Sequence, residues 1–334
     1  MAKSPKQKQK LLYVMKYLME HTDAEHEVRT PDIIAHLERN GIHAERKSIY
    51  DDMNTLEDFG LDVVRTEGPR GGYSIGTRDF ELAEVKILVD LVQSSKFLTV
   101  NKSRELIKKL EKLVSNHDAK KLQRQVEVAD RVKTENESIY YNVDWIHTAI
   151  ANNKKIRFKY FDWAVDKSMQ YRKDGAAYEV SPWLLTWNEE NYYLVAYSKK
   201  DAAIRYYRVD KMNKIEVLEE EREGRQVFEQ KEKSAYAKNS FGMFAGAAKT
   251  VQLICDKKLV GVMIDRFGKS VSIREISEEK VKVRINVDVS PHFYGWLTSF
   301  GSQVKLVEPA EIVEDYRTYL RGIWEEYTPE EKGR

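Results

Sequence analysis

The sequence predicts a multidomain α+β protein, because helical and strand-like patterns follow one another in separate blocks along the chain. Amphipathic helices and a glycine-rich hairpin come first, further helices follow, then a strand-rich stretch and finally a βαββαβ order. A chain of 334 residues is expected to form about two or three domains. We predict these divisions: helices with a hairpin (1–78), a helical connector (79–138), a barrel (139–218), a charged linker (219–246) and a C-terminal α+β domain (247–328).

The composition has the balance of a soluble protein, with 33% charged and 42% hydrophobic residues. No hydrophobic run approaches the length that spans a bilayer, and the basic N-terminus leads into an amphipathic helix without a hydrophobic signal segment. The single cysteine, Cys255, excludes an internal disulfide and a cysteine-only metal cluster. We therefore expect a cytoplasmic protein with no cofactor, no metal and no membrane partner.

The N-terminal block predicts three helices followed by a hairpin. The first helix covers 7–21, the second opens with Thr30 as N-cap and Pro31 at its first position, and the third runs from about 45 to 59. A glycine-rich tip then joins two short strands between 62 and 75. This order is typical of a winged helix-turn-helix, whose third helix fits the major groove of DNA.

Candidate DNA-binding residues lie on the third helix, on the face opposite its apolar residues, and in the wing. Acidic residues slightly outnumber basic ones among the first eighty, so the positive charge must be concentrated on one face. The N-terminal lysines (Lys3, Lys6, Lys8 and Lys10) and the Arg46-Lys47 pair could provide that face. The predicted contacts are Arg46, Lys47, Ser48, Tyr50 and Asn54 on the helix and Arg70 at the wing tip. The alternative is a winged fold used for protein contact.

The third helix resembles the recognition helix of DeoR-type regulators, with one departure. Those regulators often have arginine where this chain has Asp51. A carboxylate repels the DNA backbone, so Asp51 is expected to pair with Lys47 at the i, i+4 spacing instead.

Two strand patterns, at 191–197 and 204–212, are the most informative part of the chain. Both contain aromatic and β-branched residues, but the second also contains two arginines. An arginine stays protonated, so within a strand it must meet a carboxylate, a phosphate or water. Tyr192-Tyr193-Leu194 and Arg208-Val209-Asp210-Lys211-Met212 resemble the Trp-Tyr-Leu and Arg-Leu-Asp-Arg-Ile motifs of the WYL domain. The resemblance implies an Sm-like β-barrel of bacterial regulators, which binds nucleic acid or nucleotides.

Arg205 and Arg208 are the main candidates for ligand binding. Residues three apart face opposite sides of a regular strand. Either the strand bulges, or one arginine lines the ligand face and the other has a structural role, for example pairing with Asp210. The candidate neighbours are Tyr160, Tyr193, Tyr197, Ser198 and Tyr207. Arginine beside aromatic rings is typical of single-stranded nucleic-acid binding, whereas tyrosines alone also fill barrel interiors.

The C-terminal βαββαβ order is that of a ferredoxin-like domain. The run from Trp296 to Ser302 and the later Val307-Glu308-Pro309 resemble the C-terminal extension that commonly follows WYL domains. Its apolar residues exceed what a small domain needs for its own core, so we expect them to form a homodimer contact. Those residues include Trp296, Leu297, Phe300 and Trp324.

No catalytic motif is present in the sequence. It contains no P-loop, no G-x-G-x-x-G and no G-x-S-x-G, and its seven histidines lack metal-ligand spacing. Asp162 and Asp166, on either side of Trp163, are expected in a solvated loop. We therefore predict that the protein is not an enzyme.

These observations predict a homodimeric DNA-binding transcriptional regulator with a DeoR-type winged helix-turn-helix. Its WYL barrel would sense a nucleic-acid or nucleotide ligand, such as a single-stranded oligonucleotide, and alter binding to an inverted-repeat operator in double-stranded DNA. One alternative is a nucleic-acid-binding accessory protein of phage defence or DNA repair without transcriptional output. The other, less favoured, is an enzyme acting on nucleotides.

Overall fold

The computed structural model describes residues 6–68, 71–122, 133–188, 190–230 and 247–328. The chain divides into two compact units, Met1–Glu137 and Ser138–Arg334. Arg70, the predicted wing-tip residue, lies outside the described residues, as does Lys3. Among the described helices, none is both long and apolar enough to cross a membrane.

The first unit contains a small helical core, a hairpin and three further helices. Its elements are α1 (Lys10–His21), α2 (Thr30–Arg39), α3 (Arg46–Asp58), β1 (Val63–Arg65), β2 (Tyr73–Ile75), α4 (Leu82–Ser94), α5 (Val100–Leu110) and α6 (Asn116–Leu122). The two strands pair antiparallel, and Val28 adds a single bridge to Tyr73. The apolar positions expected to face inward do so, including Leu18 on α1, Ile33 on α2 and Met53 on α3, all fully buried.

The start of α2 differs from the prediction by one residue. Thr30 is the first helical residue, and Arg29 occupies the N-cap position. The Asp32 carboxylate accepts a hydrogen bond from the Arg29 backbone N–H at 3.1 Å. Asp32, in the first turn, therefore supplies the acceptor for the N–H of the N-cap residue. The Thr30 hydroxyl does not act as the N-cap.

A buried ion pair joins α1 to α3. Lys10 Nζ lies 2.9 Å from Asp52 Oδ2, with the two side chains only 9% and 11% exposed. The same ammonium donates to the Ser48 carbonyl at 3.2 Å. Burial raises the pKa of Asp52, and the hydrogen bond from Lys10 opposes that rise. Lys10 is thus an internal residue, and its prediction as part of a DNA-facing basic cluster was wrong.

The helices after the hairpin are packed into the same unit as the first 78 residues. The Asp23 carboxylate, beyond the end of α1, accepts hydrogen bonds from Ser115 Oγ at 2.5 Å and His26 Nδ1 at 2.7 Å. Ser115 Oγ also accepts from the Asp118 backbone N–H in the first turn of α6. Burial would raise the pKa of Asp23, but hydrogen bonds from Ser115, His26 and the Glu25 amide lower it to about 2. The segment predicted as a connector is therefore tied to the helical core by an ionised carboxylate.

The first half of the second unit is a curled half-barrel with the helix α7 (Ile139–Ala151) and the short helix α8 (Arg225–Glu229) packed on it. Its strands are β3 (Lys154–Trp163), β4 (Met169–Tyr171), β5 (Tyr178–Asn188), β6 (Asn191–Ser198), β7 (Ala203–Arg208) and β8 (Met212–Glu221). The sheet order is β4-β3-β5-β6-β7. In addition, β8 pairs with β3 along the edge opposite β5. Asn142 on α7 donates a hydrogen bond to the Met212 carbonyl at 2.9 Å, which anchors the helix at the start of β8.

The predicted linker begins within this half-barrel. Glu221 is still paired with Lys154, and α8 follows after three residues. Phe228 on α8 is 3% exposed and stacks on Trp183 with ring centroids 5.3 Å apart. The charged run at 219–223 therefore belongs to an edge strand and its turn, because β3 needs a partner on that side. Residues 231–246 lie outside the described residues.

Gly224 makes the turn into α8 possible. Its φ of +79° is in the left-handed region, and an added Cβ would lie 2.1 Å from the Tyr197 ring. A side chain is excluded there on both counts. The Tyr197 ring consequently lies directly against the backbone of the turn.

The second half of this unit is a four-stranded sheet with helices on one face. Its elements are β9 (Ala247–Asp256), α9 (Val260–Phe267), β10 (Ser272–Glu275), β11 (Lys280–Val289), α10 (Pro291–Thr298), β12 (Val304–Glu308) and α11 (Ala310–Tyr327). The strands follow the order β10-β11-β9-β12, and each neighbouring pair is antiparallel. Alternate strand residues such as Leu253 and Val283 face the helices and form the core.

The apolar residues predicted for a dimer contact are divided between interior and surface. Leu297 is buried, and Trp296 and Phe300 pack against the same core. Leu297 therefore serves the core of the domain, whereas Trp296 and Phe300 remain partly exposed, and their place in a dimer contact stays a prediction. Trp324 is 66% exposed.

We expect Asp52→Ala to lower the free energy of unfolding by about 3 kcal/mol, because it leaves the Lys10 ammonium buried without its carboxylate. The control is Glu20→Ala, which removes the exposed partner of Lys16 at 3.7 Å and should cost no more than about 0.5 kcal/mol. Urea unfolding of the two variants followed by circular dichroism measures the difference. Equal effects would contradict an energetic role for the buried pair.

Candidate functional site

The two arginines of β7 lie on opposite sides of a regular strand. Along β6 and β7 the register runs without a shift, so Arg205 stands opposite Ala196 and Arg208 opposite Tyr193. Arg208 Nε and Nη2 donate to the two Asp210 carboxylate oxygens at 3.1 and 2.8 Å, and Nη2 also donates to Asn191 Oδ1 at 3.0 Å. The arrangement is the second of the two that the sequence left open: one arginine pairs with Asp210, and the other faces away from that pair.

Arg205 lines a cavity of about 490 Å³ on the half-barrel. Four of the seven predicted ligand-binding residues meet there: Tyr160, Ser198, Arg205 and Tyr207. The remaining residues of the wall come from the β4–β5 connection, β5, the β6–β7 turn and β7. They are Arg172, Lys173, Ala177, Tyr178, Glu179, Val180, Lys200, Asp201 and Tyr206.

Three of the four tyrosines of the cavity wall form one cluster of rings. Tyr160, Tyr178 and Tyr207 contact one another edge to face, with centroids 5.6 to 5.9 Å apart. Burial raises the pKa of Tyr160 to about 12 and also raises the pKa of Tyr207. Both phenols therefore remain protonated at neutral pH, and the two rings, 7% and 8% exposed, form the buried part of the cavity wall.

Four cationic side chains surround these rings: Arg172, Lys173, Lys200 and Arg205. Lys173 Nζ lies 3.7 Å above the centroid of Tyr178, and the Arg172 guanidinium lies 5.3 Å from that of Tyr160. The two carboxylates of the wall are already engaged, since Glu179 is 3.4 Å from Arg157 and Asp201 is 3.1 Å from Arg205 Nε. The cavity thus combines excess positive charge with aromatic faces, which suits an anion that carries a flat ring.

A strained turn positions Lys173. Lys173 and Asp174 both have positive φ, 54° and 52°, and Gly175 follows at 81°. Three successive left-handed residues make a compact turn between β4 and β5, and the two that are not glycine are there at an energetic cost. The Asp174-Gly175 dipeptide was a turn signal in the sequence, but no pattern indicated that the turn would bring Lys173 over Tyr178.

Asp162 orients Arg172, the cation that precedes Lys173 in the wall. It lies in β3, so its prediction as a solvated loop residue was wrong. Its carboxylate oxygens lie 2.5 Å from Arg172 Nε and 2.7 Å from Lys211 Nζ. Hydrogen bonds from Arg172 and then Lys211 lower the pKa of Asp162 below its usual range. The carboxylate therefore holds Arg172 beside the Tyr160 ring while the Arg172 side chain stays 53% exposed.

Three predicted ligand-binding residues lie away from the cavity. Tyr193 is 7% exposed and packs in a cluster with Val195 and Phe228. Tyr197 lies against the turn at Gly224, and Arg208 is occupied by Asp210. Burial would lower the pKa of the Arg208 guanidinium, but its hydrogen bond with Asp210 leads to a net rise. These side chains support the half-barrel from its other side.

The predicted DNA-binding residues of α3 are on its exposed side. Arg46 Nε donates to the Tyr50 hydroxyl at 2.8 Å, and Lys47 is exposed. Ser48 Oγ donates to the Glu45 carbonyl at 2.8 Å, in the first turn. Within the described residues, Lys47 and Asp51 form no ion pair, so the pairing expected between them is not present.

An arginine that sequence reasoning missed links α3 to the hairpin. Arg65 Nη2 on β1 donates to Asn54 Oδ1 at 2.5 Å and lies 3.0 Å from Glu57 Oε2. Asn54 is consequently held by the first strand of the hairpin. No signal in the sequence identified Arg65, because an isolated arginine in a short strand is common.

Comparison with protein families identifies the two halves of the second unit. Residues 142–217 match the WYL domain model, and residues 248–324 match the WCX domain model. The chain contains a WYL domain. Every residue of the cavity wall lies inside the WYL match, and the four-stranded sheet with its helices corresponds to the WCX match.

Two solved structures are similar over much of the chain. Proteasome accessory factor B/C (PafBC) of Arthrobacter aurescens is 15% identical, over 96% of this chain and 49% of that one, with a TM-score of 0.27. A CRISPR Cas-related protein is 13% identical, over 66% of this chain and 60% of that one, with a TM-score of 0.25. This chain thus spans about half the length of the PafBC chain. No curated protein matches its sequence.

Proposed function

We propose that this WYL protein is a DNA-binding transcriptional regulator whose WYL domain senses a nucleic-acid or nucleotide ligand. The observation that carries the proposal is the cavity in which four cations surround three tyrosine rings. Arginine and lysine both bind phosphate, and Tyr178, the ring of the three that is not fully buried, would give a base a stacking surface. A carboxylate metabolite would use the cations but would leave the aromatic wall without a role.

The N-terminal unit supports the DNA-binding part of the proposal. Three helices and a hairpin in this order support a winged helix-turn-helix of the DeoR type. The exposed side of α3 carries Arg46, Lys47 and Tyr50, which have the hydrogen-bonding groups that phosphates and base edges require. Asn54 and Arg65 extend that polar surface to the hairpin.

The WCX domain supports a homodimer through its last helix. The βαββαβ order and the sheet order β10-β11-β9-β12 support the proposal of a ferredoxin-like domain. On α11 an apolar stripe at i, i+3, i+4 and i+7 faces solvent, consisting of Leu320, Ile323, Trp324 and Tyr327. A dimer is also required by the DNA, since one half-site gives too small an interface for useful specificity.

Ligand binding would act on DNA through the geometry of this dimer. Half-sites of an inverted repeat lie about 34 Å apart or a multiple of that distance, so a change in the separation of the two reading units changes operator affinity. The ligand must bind one arrangement more tightly than the other for this to occur. A role in phage defence or DNA repair without transcriptional output would use the same cavity, and finding sequence-specific duplex binding would count against it. We do not propose an enzyme, and turnover of any nucleotide would overturn that view.

The DNA-binding surface can be tested with Arg46→Ala/Lys47→Ala. Removing two cations from α3 should weaken binding to genomic fragments recovered by the wild-type protein by about tenfold and flatten the salt dependence. The control is Lys112→Ala/Lys120→Ala, which removes the same charge from exposed positions in the helices after the hairpin. Fluorescence anisotropy across a salt series measures both quantities. Unchanged affinity and slope in the α3 variant would exclude this surface.

The cavity can be tested with Lys173→Ala/Arg205→Ala in the full chain. Each lost charge-assisted hydrogen bond should weaken nucleotide binding by roughly tenfold or more, measured by calorimetric titration with mononucleotides, trinucleotides and citrate. Arg208→Ala is the matched control: it removes an arginine from the same strand, and it should lower the unfolding temperature while ligand affinity stays within about twofold. If the control loses affinity and the cavity variant keeps it, the ligand binds elsewhere on the half-barrel.

The dimer contact can be tested with Trp324→Ala/Leu320→Ala. Removing two exposed side chains from the α11 stripe should shift the protein from dimer to monomer at micromolar concentration, with no loss of thermal stability beyond that of dissociation. Sedimentation velocity gives the mass. A wild-type protein that sediments as a monomer, or a variant that remains fully dimeric, would contradict this contact.

A further inference from the structure

We propose that the WCX domain has a second anion-binding site, which takes the phosphate backbone of a single-stranded nucleic acid. The site is a cavity of about 560 Å³ at one end of the four-stranded sheet. It is separate from the tyrosine cavity of the WYL domain, with which it shares no residue of its wall. The inference does not depend on ligand binding by the WYL domain.

The cavity exists because β10 is shorter than its neighbour. The pairing of β10 with β11 ends at Ser272, which stands opposite Arg284. From Ile285 onward, within the described residues, β11 is paired only with β9 on its other side. The end of α9 and the turn after it pass beside this open edge. The result is a recess with strand residues on one side and a turn on the other.

The chemistry of the wall is that of an anion site. Two arginines, three hydroxyls and an amide face the cavity: Thr250, Arg266, Ser270, Ser272, Arg284 and Asn286. Among the described residues, no carboxylate lines it. The two arginines come from a helix and a strand, so their positive charges are brought together by the fold. A phosphate could accept hydrogen bonds from both of them.

The amide of Asn286 is oriented as a donor. Thr250 Oγ1 donates to Asn286 Oδ1 at 2.7 Å, so the amide oxygen is already satisfied. The two N–H bonds of the Asn286 amide are left for a ligand in the cavity. Arg284 is exposed and, within the described part of the chain, has no carboxylate within 4.0 Å. The polar groups of this wall are therefore mostly donors.

A row of cations continues from the cavity across the outer face of the sheet. Val283 and Ile285 face the helices, so Lys282 and Arg284 face the other way. Lys282 stands opposite Arg274 on β10 and opposite Ile254 on β9, and Ile254 stands opposite Lys305 on β12. Arg274, Lys282 and Lys305 therefore form one line across four strands, next to Arg284.

The row of cations favours a polymer over a small anion as the ligand. A single phosphate would be held by the cavity and would leave the row without a role. A chain of phosphates matches the charges of both, and the outer face of the sheet is wide enough to carry an extended strand. Among the described residues in register with the row or with Arg284, none is aromatic: Ile254 lies within the row, and Ser272, Gln252 and Glu308 lie beside it, with the Glu308 carboxylate hydrogen-bonded to Gln252. Recognition here is therefore of the backbone, and it would be independent of base sequence.

The test is the charge reversal Arg284→Glu/Lys282→Glu in the full-length protein. The probe is a fluorescein-labelled oligothymidine of about 12 nucleotides, followed by anisotropy across a salt series. Loss of two phosphate contacts should weaken binding by about tenfold and reduce the salt slope by about 1.4. The matched control is Lys258→Glu, which makes a single reversal at a lysine that is 66% exposed and 3.7 Å from Asp256. It should change affinity by less than about twofold.

Two further arms separate this site from the WYL cavity and from free phosphate. The charge reversal is repeated in the Lys173→Ala/Arg205→Ala background, where the same further loss is expected. Arg284→Ala/Lys282→Ala gives a milder loss without reversed charge, and thermal unfolding shows that the domain is intact. Unchanged affinity and slope in these variants would overturn the proposal. So would binding of inorganic phosphate alone, with oligothymidine affinity independent of Arg284 and Lys282.

Discussion

The ion pair of Arg208 with Asp210 determines which side of β7 can receive a ligand. Two arginines three residues apart on a regular strand face opposite sides, so they cannot both line one cavity. The ion pair with Asp210 gives Arg208 a structural role on the side away from the cavity. The backbone N–H of Arg208 also donates to the Tyr160 hydroxyl at 3.1 Å, so the same residue fixes one ring of the cavity. Arg205, on the cavity side of β7, remains at the surface, with its side chain 47% exposed.

Two cations of the cavity are each held by a carboxylate that contacts the Nε of the guanidinium. Asp162 holds Arg172, and Asp201 holds Arg205, each through the Nε of the guanidinium. Hydrogen bonds from Arg205 and Ser198 lower the pKa of Asp201, so this carboxylate is ionised at neutral pH. A guanidinium has five N–H donors, and one carboxylate uses at most two of them. The remaining donors are oriented in advance, which reduces the entropy that a ligand must remove on binding.

Much of the architecture could be predicted from the sequence because its elements have strong periodicity. The helical stripes of α1 and α3 and the alternation along β9 and β11 each have one side that must be buried. The site was harder, since only four residues of the cavity wall were among the predicted ligand-binding residues. Lys173 and Lys200 lie in turns, and their positions depend on backbone angles and register that no local pattern specifies. Lys10 was assigned to the surface because lysines are rarely buried, and only its distant partner Asp52 makes burial tolerable.

The ion pair between α1 and α3 affects how well α3 can accept substitutions on its outer side. Lys10 holds α3 from its inner side, through the Ser48 carbonyl and the Asp52 carboxylate, and Met53 and Leu56 complete that contact with apolar packing. The outer side chains of α3 contribute little to this attachment, and one of the two groups that Lys10 grips is a main-chain atom. Substitutions at Lys47 and Tyr50 are therefore expected to cost little folding free energy, since both side chains are exposed. The same separation makes α3 a practical place to engineer a new binding preference.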